Sequence, residues 1–212
     1  MGNFSSELRR YIHSDNQYGL IHLLEKAGEG SPDIINEDYT ADCLLESCQR
    51  NVYNPVHTAV MMERVKILEI LLKYGGDPNV HSREYKHTPL HQAARLNNLK
   101  MVTILLKYGA DIHAKDNLDR MPIHYAASSL ASRIRGNIRV LRHLVKVGRP
   151  EDVRARDYYG DTPLHHAVKV EHLKAAKYLI KSGASMEDTN DNGQTPSDVA
   201  NKIFKPKLNL LP

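Results

Sequence analysis

The chain has 212 residues, 41% hydrophobic and 25% charged, enough for one or two domains with a sizeable core and unlike a wholly disordered chain. A net charge of +4 does not by itself imply nucleic acid, and no apolar run reaches the roughly 18–20 residues that a membrane span needs. The N-terminus lacks the apolar stretch of a secretory signal.

There is no tryptophan, and two phenylalanines stand against eleven tyrosines, which predicts an aliphatic core and tyrosines partly available for surfaces. Cys43 and Cys48 are too few for a disulfide framework, and their spacing puts them on different faces of a helix. A reduced, intracellular protein is expected, cytoplasmic and with access to the nucleus or a membrane surface. No metal site is expected, since a Cys₂His₂ centre needs more closely paired ligands.

In chain order, residues 1–6 (MGNFSS) match the N-myristoylation pattern, with Gly2 as acceptor and Ser6 in the required place. One acyl chain gives only marginal, reversible membrane binding, to which Arg9 and Arg10 add little. Residues 29–53 follow no clean period, and an extra helix is expected over 42–50 (DCLLESCQR).

A repeat then takes over. NPVH at 54, TPLH at 88, MPIH at 121 and TPLH at 162 are versions of one tetrapeptide, and TPSD at 195 is a decayed fifth copy; the starts lie 34, 33, 41 and 33 residues apart. Each full copy leads to small residues and then to an aliphatic run ending in glycine: ILEILLKYG, TILLKYG, LRHLVKVG or KYLIKSG. The physical unit is a helix-turn-helix. Proline suits the first turn of a helix, Thr88 or Thr162 caps it, and alanines keep it thin. The second helix buries a stripe such as Val102, Leu105 and Leu106 and stops at Gly109. One unit cannot bury its own apolar face, so units must stack.

Residues 88–120, TPLHQAARLNNLKMVTILLKYGADIHAKDNLDR, closely resemble an ankyrin repeat, and 54–87, 121–161 and 162–194 are similar. The resemblance implies an all-α ankyrin-repeat solenoid of stacked helix-turn-helix units with β-turn fingers. Its N-terminal segment (1–53) includes a degenerate capping unit at 7–28, and its C-terminal part (195–212) includes a truncated terminal helix at 195–204. It also implies that His57, His91, His124 and His165 hydrogen-bond within and between repeats.

No phosphate loop, nucleophile elbow, paired carboxylates or metal-ligand spacing appears; His165, His166 and His172 form the nearest approach to a cluster. An enzyme is therefore not expected, nor a cofactor. No F-box-like or SOCS-box-like segment follows residue 194. The resemblance implies a protein partner, met by finger tips and first-helix faces on a concave surface. The tips map to 81–87, 115–120, 156–161 and 190–194, with Tyr85, Leu118, Arg120, Tyr158 and Tyr159 as candidate contacts. On the first helices the candidates are Arg95, Leu96, Tyr125, His166 and Lys169. Exposed tyrosines suit interfaces, although one ring of each pair folding back on a neighbouring finger is the alternative.

The third unit carries eight extra residues, about six of them between Ala127 and Gly136, where a longer turn between its helices is expected. From Arg133 to Arg156 eight basic residues face two acids, a local charge of +6. Ile138, Leu141 and Val145 seat the following helix, turning Arg139, Arg142 and Lys146 outward with Arg133 and Arg135 nearby. Two readings stand: a solvated face with a tolerated insertion, or a docking patch for an acidic or phosphorylated protein segment or for membrane headgroups. Nucleic acid is disfavoured, because the stretch lacks interleaved aromatics. The tail at 205–210 (KPKLNL) resembles a kinase-docking peptide, or else packs its leucines on the last helix. The expected function is non-catalytic protein binding as adaptor, scaffold or competitive inhibitor. The alternative is a peripheral membrane protein acylated at Gly2.

Overall fold

The computed structural model describes residues 4–28, 35–36, 54–200, 204 and 206. The acceptor Gly2, the helix expected over 42–50 with both cysteines, and all of the 205–210 tail but Pro206 lie outside the described residues. Among the described residues the regular structure is helical, and no helix is long and apolar enough to cross a membrane.

The described helices follow in chain order, beginning with α1 (Phe4–His13) and α2 (Gln17–Ala27), α3 (Pro55–Met61) and α4 (Val65–Lys73), and α5 (Pro89–Arg95) and α6 (Leu99–Lys107). Then come α7 (Pro122–Ala127), α8 (Leu130–Arg135) and α9 (Arg139–Val147), a 3₁₀ turn (Pro150–Arg154), and α10 (Pro163–Lys169) with α11 (Leu173–Lys181). The first helices of the repeats are too short to persist alone, so caps and packing hold them. Asn54 Oδ1 accepts from the His57 amide at 3.0 Å, and the Thr162 hydroxyl accepts from the His165 amide at 3.5 Å.

The motif histidines of the first, third and fourth repeats tie the first helix to the finger that follows it. In the fourth repeat the Thr162 amide donates to His165 Nδ1 (3.2 Å), which leaves the ring proton on Nε2 to donate to the Gln194 carbonyl (3.0 Å). His57 Nε2 meets the His87 carbonyl at 2.8 Å, and His124 Nε2 meets that of Ala155 at 3.1 Å. Burial disfavours the charged imidazole, lowering the pKa of His57 and of His124 to about 4 and also lowering that of His165.

The chain divides into two compact units, residues 1–92 with 100–111 and residues 93–99 with 112–212. In the first unit α1 packs on α3 and α2 on α4. Leu8 and Ile12, Leu20 and Leu24, Val56 and Val60, and Ile67, Leu68 and Leu71 are buried there. Truncating one such leucine to alanine costs about 2–5 kcal/mol. Asn36 brackets the end of α4, donating to the Gly75 carbonyl (3.1 Å) and accepting from the Asp77 amide (2.7 Å). Asn79 repeats this on Gly109 and Asp111 at 2.9 and 2.7 Å. Asn36 therefore occupies a repeat position. The irregularity of 29–53 is a matter of length: Asn54 comes eighteen residues after Asn36, whereas Thr88 comes nine after Asn79.

In the second unit α7 packs on α9 and α10, and α10 on α11, around Ile123, Ala127, Val140, Leu141, Leu144, Leu164, Val168 and Leu179. The turn expected to lengthen the third repeat is instead the helix α8. Ser129 caps it, accepting from the Ser132 amide (3.1 Å), and Gly136 ends it in the left-handed region. Both neighbouring repeats hold it in place. Ser129 Oγ donates to the Arg95 carbonyl at 2.7 Å, and Ser132 Oγ lies 3.5 Å from Nε2 of His172, whose Nδ1 meets the Ala127 carbonyl. At the C-terminus, residues 195–200 form turns and bends rather than the helix expected there.

Candidate functional site

Each finger is a turn closed around one buried polar side chain five or six residues before the tetrapeptide. Asp116 Oδ1 accepts from the amides of Leu118 and Arg120 at 2.8 and 2.9 Å. Asp157 Oδ1 accepts from Tyr159 and Asp161, both at 2.9 Å. Asn190 does the same for Asn192 and Gln194 at 3.1 and 3.0 Å, and Ser82 takes the His87 amide at 3.0 Å. The residue two before the tetrapeptide then turns left-handed: Lys86, Asp119, Gly160 and Gly193 have φ between 52° and 73°. Glycine meets that requirement without strain.

On this frame Tyr158 and Tyr159 stand out from their finger, 64% and 52% exposed, with their rings edge-to-face at 5.3 Å. Their backbone engages the neighbouring fingers: the Tyr158 amide donates to the Leu118 carbonyl (2.9 Å), and the Tyr159 carbonyl accepts from the Asp191 amide (3.0 Å). Tyr85 is also exposed and stacks on His87 at 5.4 Å. Leu118 and Leu96 are half-buried, and Arg95 is exposed.

Tyr125 corrects an expectation. It is buried, and its hydroxyl donates to Asp116 Oδ2 at 2.7 Å, so burial and this hydrogen bond keep the phenol protonated well above its ordinary range. Arg120 also serves this finger, bonding Asp116 through Nε at 2.8 Å and lying 5.0 Å over the Tyr125 ring. The residue after the motif histidine thus reaches back nine positions to brace a finger. His166 does this in the fourth repeat, its Nε2 lying 2.8 Å from Asp157 Oδ2. Burial alone would raise the Asp157 pKa, but the His166 hydrogen bond and charge and the Asp161 and Tyr159 amides outweigh it and hold the carboxyl below its ordinary range. Lys169 pairs with Asp161, whose other oxygen accepts from Asn190 Nδ2 (2.9 Å).

Among the described residues Asp157, Asp161 and His166 bring ligand atoms within 4.8 Å of one another and are in a position to hold a metal. Each already has protein partners, however, and the Lys169 ammonium supplies the positive charge, so the cluster works as a brace for the finger.

The basic stretch of the third repeat divides. Arg154 pairs with Asp188 (Nε to Oδ2, 2.9 Å) and Arg156 with Asp191 (2.8 Å). Arg133 and Arg135 are exposed on α8 beside Leu130 and Ile134, large apolar side chains that also face solvent. Arg139, Arg142 and Lys146 are exposed on α9. Arg139 and Arg142 line a groove with Lys174, Lys177 and Lys181 of α11. Those lysines repeat at i, i+3 and i+7, the sequence signal for a single helix face.

The family model for ankyrin repeats (three copies) matches residues 23–116 and 115–192. The chain belongs to the ankyrin-repeat family. Its fold is the all-α ankyrin type, and among its relatives is protein phosphatase 1 regulatory subunit 27 of Homo sapiens, 40% identical over 76 residues, 36% of this chain and 48% of that protein. Human ankyrin repeat domain-containing protein 37 is 35% identical over 85 residues, 40% of this chain and 49% of that protein. Alpha-latrocrustotoxin-Lt1a of Latrodectus tredecimguttatus is 33% identical over 201 residues, 95% of this chain and 10% of the toxin. The match to the phosphatase subunit spans about half of that protein's length.

Proposed function

We propose that this ankyrin protein is a non-catalytic binding module, an adaptor, scaffold or competitive inhibitor, that meets a protein partner through its fingers around Tyr158 and Tyr159. The observation that carries this reading is the pair of exposed rings on a backbone closed by buried Asp157. Two large side chains with few rotatable bonds, on a turn already fixed, lose little entropy when a partner covers them. Membership of a family that generally binds proteins, and the likeness to a regulatory subunit, support the same class of role.

The test is affinity capture from cell extract with wild type and Tyr158→Ala/Tyr159→Ala, read by mass spectrometry. The reading expects proteins enriched by wild type to be lost from the variant while its thermal unfolding is unchanged. Equal capture by both would overturn it. Arg133→Glu/Arg135→Glu/Arg139→Glu in the same experiment tells whether the partner also reaches the arginine-rich insertion.

A further inference from the structure

We infer that the groove between α9 and α11 is a second recognition site, built for an extended acidic segment of a partner protein. Its lining runs from Gly136, Asn137 and Ile138 through Arg139 and Arg142 to Lys174, Lys177, Tyr178 and Lys181, and encloses about 540 Å³. That volume lies within the roughly 300–1,000 Å³ of ordinary ligand clefts. Five cations line it and no acid does. Arg139, Arg142, Lys177 and Lys181 are exposed and meet no carboxylate among the described residues. Lys174 is fixed at the wall, its Nζ donating to the Gly136 carbonyl at 2.7 Å, and Arg142 lies 5.6 Å over the Tyr178 ring.

The arrangement selects the ligand. Along α11 the three lysines stand about 4.5 and 6 Å apart, a row of about 10.5 Å. Alternate side chains of an extended peptide repeat at about 6.6–6.8 Å, so two anions on one edge of a peptide lie along such a row. A single phosphate spans too little of it. A lipid surface is flat and meets the rim of a concave groove rather than its floor. Bases need open aromatic faces, and the one ring here is already covered by Arg142. Phosphoserine at alternate positions is the strongest form of the fitting ligand, because a dianion opposite Arg and Lys forms charge-assisted hydrogen bonds.

The experiment is fluorescence anisotropy on the full chain with a short labelled peptide alternating phosphoserine and alanine. Saturable binding is expected, absent for the unphosphorylated twin and weakened about tenfold or more by Lys177→Glu/Lys181→Glu. Both positions are exposed on a helix, and the milder Lys177→Ala/Lys181→Ala, expected to weaken binding in the same direction, guards against a folding artefact. Tyr158→Ala/Tyr159→Ala is expected to bind the peptide normally, so this site and the finger reading fail separately. Equal affinity in the charge-reversed variant, or retention on phosphatidylserine vesicles without peptide binding, overturns the inference.

Discussion

Arg120, Arg154, Arg156 and Lys169 each end on an aspartate, whereas Arg139, Arg142, Lys177 and Lys181 meet no carboxylate among the described residues. The same residue types serve opposite ends in the two regions. In the fingers, positive charge is spent internally: Asp116, Asp157 and Asp161 are buried, and the cations and amides around them fix the turns. What the fingers offer outward is aromatic area. The face of α9 and α11 rests on an aliphatic stripe of Val140, Leu141, Leu144, Ala175, Ala176 and Leu179 and has no need of its charges for folding. A charge that the fold does not use remains available to a ligand.

Acid should separate the regions most strongly. His57 and His124, which hold first helices to fingers, have folded pKa values of about 4 against 6.5 for an ordinary imidazole. The unfolded chain therefore takes up protons first. Their contribution is complete above about pH 6.5 and is lost as pH falls through 6.5 toward 4, on the order of 3 kcal/mol for each. The lowered Asp157 carboxyl shifts stability in the same direction below its ordinary range. Urea midpoints at pH 7 and pH 4.5 check this, and a flat profile would break the claim that these rings are buried neutral.

Next in size is Asp157→Ala, which strands the Tyr159 and Asp161 amides and should cost about 3 kcal/mol, where Lys177→Ala should change stability by less than about 0.5 kcal/mol. Asn54→Thr should add about 1 kcal/mol. In the fourth repeat the Thr162 hydroxyl lies within reach of both the His165 amide and its Nδ1. Asn54 Oδ1 accepts from the amide but lies 3.2 Å from an Nδ1 that is also an acceptor, and its buried Nδ2 finds no partner among the described residues. At the finger rim Arg156→Ala, losing an exposed pair, should cost less than about 1 kcal/mol in a thermal or urea melt.

The tetrapeptide announced the first helices because proline, a hydroxyl cap and histidine are local devices, each readable from neighbouring residues. The exposure of Tyr158 and Tyr159 followed from their place in a turn. Three features depend on contacts between repeats and were hidden for that reason. Helix α8 buries no apolar side chain, Leu130 and Ile134 facing solvent, and its ordering comes from Ser129 and Ser132 reaching neighbouring repeats. Tyr125 sits where a first helix can face a partner, yet bends back to Asp116. The groove pairs an arginine-rich helix with a lysine face from the next repeat, which by itself looks like an ordinary solvated surface.

The most direct measurement places a photo-crosslinking phenylalanine analogue at Tyr159 and, separately, at Lys26, an exposed position on α2, and compares adducts formed in cells. A discrete adduct with another protein is expected from position 159 and none from position 26. Adducts from position 26 alone, or the same adducts from both, would contradict it.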